Sequence, residues 1–249
     1  MKILITGASS GLGATFARLL ARDGHELILV ARRVKRLESL KKELGDNVKI
    51  IDLDISSSYN CMKLYNEVKK EKIDVLINNA GFGIYGEFDN IKIDKELDMI
   101  DLNIKTVHML TKLFLKDFVK RDFGYILNVA SLAAFTPGPL MSTYYATKSY
   151  VYSLTMGIKK ELEEKCSNVY IGCLCPGPVN TEFEHVAKVK FDTKLLDSEY
   201  VCSYAIKCMF KEKSLIIPGF GNKIKYYLSK MLPLDVKMNS IYKMQKRGD

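Results

Sequence analysis

A chain of 249 residues with 47% hydrophobic and 27% charged residues is large enough to bury a full core, which excludes a disordered or low-complexity protein. No run approaches the roughly 18 apolar residues of a membrane span, and Met1-Lys2-Ile3-Leu4-Ile5-Thr6-Gly7 reads at once as a buried strand entering a glycine turn, so a cytoplasmic protein without a signal peptide is expected. The net charge of +9 raises nucleic acid, a membrane surface or an anionic ligand as partners, but much of it is local: between Gly221 and Asp249, Lys223, Lys225, Lys230, Lys237, Lys243, Lys246 and Arg247 face only Asp235 and Asp249.

Short apolar runs alternate with longer amphipathic ones. Strands are predicted near 2–6, 26–31, 48–52, 74–78, 124–130, 168–174 and 214–217, with helical periodicity between them. The runs are continuous and β-branched rather than alternating, so both sheet faces should be covered: a doubly wound parallel sheet in a three-layer α/β sandwich, with residues 1–249 as a single domain. The six cysteines, Cys61, Cys166, Cys173, Cys175, Cys202 and Cys208, form no C-x-x-C pair, and the three histidines complete no zinc set. Reduced thiols and no metal are expected.

After the first strand, Thr6-Gly7-Ala8-Ser9-Ser10-Gly11-Leu12-Gly13 opens the helical pattern Ala14 to Ala21. Glycines there permit a tight turn, close approach of the backbone to a pyrophosphate and close helix–strand packing, while the free N–H groups of the helix start favour an anion. Gly7, Ser9, Ser10, Gly11, Leu12 and Gly13 are therefore candidate cofactor residues. The second strand ends Leu29-Val30-Ala31-Arg32-Arg33. An NAD site needs an acid about 20 positions beyond the glycines for the ribose 2′-hydroxyl; here Ala31 stands in that place and Arg32 and Arg33 follow, with guanidinium forks suited to the 2′-phosphate of NADP(H).

The spacing Thr-Gly-x-x-x-Gly-x-Gly, together with Asn78-Asn79-Ala80-Gly81 after the fourth strand, resembles the short-chain dehydrogenase/reductase family. The resemblance implies a Rossmann-like fold, Asp54 and Ile55 at the adenine edge, and Asn79, Ala80 and Gly81 closing the cofactor cleft. Tyr144 and Lys148 stand four apart and share a helix face. A phenol with a pKa near 10 needs a neighbouring cation to act at neutral pH, which Lys148 supplies. Tyr145 has no lysine four residues on, because position 149 is Ser149. A lone Tyr-x-x-x-Lys is commonly a surface pair; the family context makes it the catalytic one.

Ser131 lies 13 residues before Tyr144, the family's separation, where its hydroxyl would hold the substrate oxygen; taken alone it reads as a helix cap. Asn103 matches the asparagine that completes the family's tetrad, where it would hold a water connecting Lys148 to solvent; taken alone it reads as a mid-helix polar residue. Pro176, Gly177, Val179 and Thr181 match the element that holds the nicotinamide end, with Thr181 on the carboxamide. The matches run in family order from residue 6 to about 181. They imply an NADP(H)-dependent oxidoreductase interconverting a small-molecule carbonyl and alcohol, and a homodimer or homotetramer built on helices near 94–120 and 142–165. A non-catalytic NADP-binding sensor is the alternative, and it leaves Ser131, Tyr144 and Lys148 without a purpose. Nucleic acid is not expected as a partner.

The irregular stretch from Pro176 to about Asp197 is a candidate substrate lid. Leu132, Ala133, Phe135, Leu140 and Met141, with Val179, Phe183, Val186 and Phe191 from that lid, are candidate pocket residues and favour an apolar substrate. In the tail, 221–249, Ile224, Tyr227, Leu228 and Met231 share a helical face until Pro233 stops the helix. That face is expected to pack on its own subunit or a partner, or to touch an anionic membrane surface.

Overall fold

The computed structural model describes residues 1–191 and 194–246. Two positions of the predicted lid and the tail residues Arg247 and Asp249 lie outside the described residues. In chain order the elements are β1 (Lys2–Thr6), α1 (Gly11–Arg22), β2 (Glu26–Ala31), α2 (Val34–Leu44), β3 (Val48–Asp52), α3 (Ser58–Val68), β4 (Val75–Asn78), α4 (Ile93–Ile100), α5 (Val107–Arg121), β5 (Tyr125–Val129), α6 (Ser142–Glu164), β6 (Tyr170–Leu174), α7 (Phe183–Ala187), α8 (Ser198–Met209), β7 (Leu215–Ile216), α9 (Phe220–Met231) and α10 (Leu234–Lys246). The strands form one sheet in the order β3-β2-β1-β4-β5-β6-β7, and every pairing is parallel.

Period-two geometry explains why the strand sequences are apolar throughout. Ile3 and Ile5 of β1 join Leu27, Leu29, Phe16 and Leu20 on one face of the sheet, under α1 and α8. Leu4, between them, joins Ile28, Val30, Leu76, Phe114 and Phe118 on the other, under α3 and α5. Each such side chain contributes about 1.5–3 kcal/mol when fully buried, so the register of the central strands is strongly specified. One polar chain crosses this core. Asn78 Nδ2 donates to Thr111 Oγ1 (3.1 Å) and Asn128 Oδ1 (2.9 Å), and Asn128 Nδ2 donates to Thr155 Oγ1 (2.9 Å), which ties β4 and β5 to α5 and α6.

The strand order reverses beside β1, whose neighbours are β2 and β4, so a crevice opens at the carboxyl ends of these strands, where ligands bind in open α/β sheets. The helical stretch predicted near 94–120 is α4 and α5 joined by a wider π-helical turn, Asp101–Thr106. Such turns insert a residue and redirect side chains; this one carries Asn103, which is 1% exposed.

Candidate active site

The turn after β1 closes because Gly7 (φ +65°) and Gly11 (φ +51°) take left-handed conformations. A Cβ on Gly7 would lie 2.8 Å from Ala80 Cα. Thr6, which the motif reading left without a role, holds the turn against the next loop: its hydroxyl accepts from Asn79 N and Ala80 N, both at 3.0 Å. Asn79 Nδ2 returns a bond to Thr6 O at 3.0 Å. The signal in the sequence was a hydroxyl at the end of an otherwise apolar buried strand. Gly13 does not line the crevice. It faces inward, where a Cβ would come within 2.3 Å of Gly7 O, so its work is close packing of α1 under the turn.

Ser10 is the N-cap of α1 but makes no side-chain cap bond, and the first turn contains no acid. Its hydroxyl instead accepts from Arg33 Nη2. The first amides of α1 are left for an external acceptor, which suits a pyrophosphate. Arg33 Nε also donates to Ser9 Oγ (3.1 Å), and Arg33 Nη1 to Glu182 Oε2 (2.9 Å); Arg36 Nη1 donates to the other oxygen of Glu182. Those two guanidinium groups hold the Glu182 carboxyl down at about 2. Arg32 is the looser arginine, 65% exposed and 3.4 Å from Asp54 Oδ2. Glu182 and Arg36 escaped the sequence reading, because Glu182 meets Arg33 from 149 residues away.

Tyr144 and Lys148 sit one turn apart near the start of α6 and are both buried. The Ser131 hydroxyl accepts from Ala133 N at 3.2 Å and donates to Pro176 O at 3.5 Å, so it caps a short 3-10 turn, Leu132–Phe135, and it lines the same cavity as Tyr144. Lys148 Nζ donates to Val129 O at 3.0 Å and lies 5.7 Å from the centre of the Tyr144 ring. Burial penalises both charged forms. It pushes the phenol up and holds the ammonium down at about 8, so without further positive charge the phenol keeps its proton.

Asn103 stands behind this group rather than on the crevice wall. Its Nδ2 donates to Phe82 O (2.8 Å) and Thr147 Oγ1 (3.1 Å), and its Oδ1 accepts from Phe82 N (3.1 Å). The side chain thus fastens the loop after β4 to α6.

A continuous cavity of about 1440 Å³ joins these parts, from Arg32, Asp54 and Ile55 over Gly7, Ser9, Gly11 and Leu12 to Tyr144 and beyond. Asn79, Ala80, Gly81, Pro176, Gly177, Val179 and Thr181 line it, as do Leu132, Ala133, Phe135, Met141, Phe183, Val186 and Phe191. Leu140 does not: it takes a left-handed φ of +64° in the turn before α6, and its carbonyl accepts from Gly86 N at 2.9 Å. The volume exceeds the roughly 300–1,000 Å³ of an ordinary ligand pocket, leaving room for a dinucleotide and a second molecule.

Within this chain the tail's predicted apolar face is not what docks it. Ile224, Tyr227, Leu228 and Met231 are 43%, 64%, 51% and 81% exposed, whereas Tyr226, off that face, is 6% exposed. Its ring lies 4.5 Å from Phe135, an aromatic pair. Pro233 ends α9 as expected, but α10 follows at once, and Gln245 Nε2 donates to the Tyr145 hydroxyl at 2.9 Å. Tyr145 is thereby engaged with the tail.

The short chain dehydrogenase family profile matches residues 1–190. The chain belongs to the short-chain dehydrogenase family. This short-chain dehydrogenase is 34% identical over 190 residues to an NADP-dependent 3-hydroxy acid dehydrogenase of Escherichia coli, covering 75% of this chain and 76% of that one. It is 36% identical over 189 residues, 74% of this chain and 77% of the relative, to an uncharacterized oxidoreductase of Staphylococcus saprophyticus. Among solved structures, a short-chain dehydrogenase from Sphingobium yanoikuyae in complex with NADPH superposes with a TM-score of 0.83 at 30% identity over 88% of each chain. The bulky-bulky ketone specific alcohol dehydrogenase of Comamonas testosteroni does so with a TM-score of 0.78 at 26% identity over 92% of each. The protein is therefore an oxidoreductase.

Proposed function

We propose that this short-chain dehydrogenase interconverts a carbonyl and an alcohol with NADP(H), and that Tyr144 is its general acid and base. The observation that carries this reading is the buried Tyr144 with Lys148 Nζ 5.7 Å from its ring and Ser131 on the wall of the same crevice. The crevice fits the cofactor: glycines with no room for a Cβ, uncapped amides at α1 and two arginines beyond β2. When bound, the nicotinamide supplies or accepts the hydride. Ser131 holds the substrate oxygen, Tyr144 donates its proton to that oxygen during reduction, and Lys148 lowers the cost of the phenolate left behind. Thr181 and the main chain at Pro176, Gly177 and Val179 orient the ring, and Lys148 also serves the ribose. Oxidation runs the same steps backwards.

The NADPH-bound Sphingobium structure and the NADP-dependent Escherichia coli relative support the cofactor assignment. Charge supplies its reason, since no acid stands at the end of β2 while Arg32 and Arg33 reach the crevice. Arg32→Asp is expected to reverse the preference toward NADH by placing a carboxylate where the 2′-phosphate would lie; kcat/KM measured with both cofactors checks it, and unchanged NADPH selectivity would sink the assignment. The mostly apolar walls favour a bulky hydrophobic ketone, aldehyde or secondary alcohol. NADPH consumption across aldehydes, ketones, diketones and 3-oxo acids tests the whole reading, and cofactor binding with no turnover of any member would favour a non-catalytic NADP sensor.

Association through α4–α5 and α6 is the proposed route to a homodimer or homotetramer, with Ile93 and Leu97 exposed on α4 and Tyr150 on α6. No helix among the described residues is long and apolar enough to cross a membrane. The exposed Ile224, Tyr227, Leu228 and Met231 beside the tail lysines suit weak contact with an anionic surface. Co-sedimentation with phosphatidylglycerol vesicles at low salt is the expected result, and none with phosphatidylcholine vesicles.

A further inference from the structure

The crevice has two electrostatic halves. On the cofactor side its arginines are matched: Arg32 with Asp54, and Arg33 with Glu182. The Tyr144 side is not matched. Lys92, Lys188, Lys190, Lys225 and Lys237 all line the cavity, and among the described residues none of the five makes an ion pair. The carboxylates of the cavity wall are Asp54, Asp98 and Glu182. Each is already engaged, with Arg32, with Lys95, and with Arg33 and Arg36.

Four of these lysines stand on the lid and the tail, which pack against the reacting end. Lys188 and Lys190 flank Val189, which packs with Ala187, Met141 and Tyr144 in one apolar cluster. Lys225 adjoins Tyr226, whose ring is against Phe135. Lys237 bridges the two tail helices by donating to Ser229 O at 2.8 Å, and α10 reaches Tyr145 through Gln245. Inward of these cations the wall is Phe82, Ile84, Met141, Phe183 and Phe191. The cavity thus combines apolar walls with lysines that make no ion pair among the described residues, and the field of such cations raises the local concentration of anions.

We infer that the substrate is an anionic amphiphile, whose apolar body lies against Met141, Phe183 and Phe191 while a carboxylate at its far end meets the lysines of the lid and the tail. This inference rests on the oxidoreductase reading above and adds the substrate class. Neither half of the chamber accounts for the other alone: a neutral ketone leaves the cations unused, and a small polar acid leaves the aromatic walls wet.

The first test needs no turnover. Decanoate, methyl decanoate and decan-1-ol are titrated into the NADPH complex of the full chain, with cofactor fluorescence as the readout. Decanoate is expected to bind about tenfold more tightly than its ester at low salt, with the advantage shrinking at about 0.5 M salt. Lys188→Gln combined with Lys225→Gln should bring acid and ester towards parity, whereas Lys207→Gln, on α8 away from the cavity, should keep the difference. Equal binding of acid and ester, or an advantage that survives the double variant, overturns the inference. A second arm compares 9-oxodecanoate with its methyl ester as substrates, where the inference requires a lower KM for the acid. Turnover of neutral ketones without an acid preference overturns the anion site and leaves the reductase standing. A decanoate preference with no turnover of any carbonyl does the opposite.

Discussion

Tyr144→Phe is expected to lower kcat for NADPH-driven carbonyl reduction by about three orders of magnitude, the scale of a lost general acid, while NADPH binding changes little. The substitution keeps the ring that lies 5.3 Å from Phe183 and removes only the hydroxyl. The proton then has no donor of suitable acidity. Ser131 remains, but a serine hydroxyl is a far weaker acid than a phenol, and Lys148 is turned to Val129 O. Stability should fall by no more than about 1 kcal/mol, the net value of one hydrogen bond. Stopped-flow turnover and a cofactor titration check the two halves separately. A variant that keeps most of its activity would move the donor to another group, and Tyr145 is the nearest rival.

Lys148→Met is expected to stabilise the cofactor-free protein while disabling it. Burial lowers the Lys148 ammonium to about 8 from an unfolded value of 10.5. Below pH 8 both states are protonated and the folded state bears the full cost of a buried cation, about 3 kcal/mol by linkage. Between 8 and 10.5 the unfolded chain binds the extra proton, so this group makes stability rise with pH; above 10.5 the cost is gone. Methionine fills a similar space without charge but gives up the bond to Val129 O, so a gain of about 1–3 kcal/mol at pH 7 is expected. The rise between pH 8 and 10.5 should flatten in the variant. Urea titrations across this range measure both effects, and a variant less stable than the parent at pH 7 would show that the cation is compensated by its surroundings. The parent's kcat/KM for reduction should decline as pH passes 8, when Lys148 loses its charge. A cation retained at a cost in stability is what a functional site predicts and a structural one does not.

The two predictions draw on different kinds of information. Tyr144 and Lys148 share a face because four residues make about one helical turn, a local rule that any helix obeys. The pKa of Lys148 follows from the elements that bury it, Val129 of β5 and the loop carrying Gly81 among them, and neither is near it in sequence.

By itself the sequence determined the seven strands, because continuous apolar runs have only one stable home, a sheet covered on both faces. It also determined the glycine turn, the absence of an acid after β2 and the shared helix face of Tyr144 and Lys148, since each is written in residues a few positions apart; Ser131, 13 residues before Tyr144, stood out only through the family resemblance. Tertiary structure decided what depended on distant partners. Asn103 turned away from the crevice because a π-helical turn put its amide within reach of Phe82 and Thr147. Gly13 became a packing residue and Leu140 a turn residue for the same reason: their surroundings come from other elements. In the tail, helical periodicity named Ile224, Tyr227, Leu228 and Met231 as the apolar face, which this chain leaves exposed, while Tyr226 packs among the aromatic rings around Phe135. Periodicity specifies that a helix has an apolar side; the shape of what it meets selects the residue that is buried.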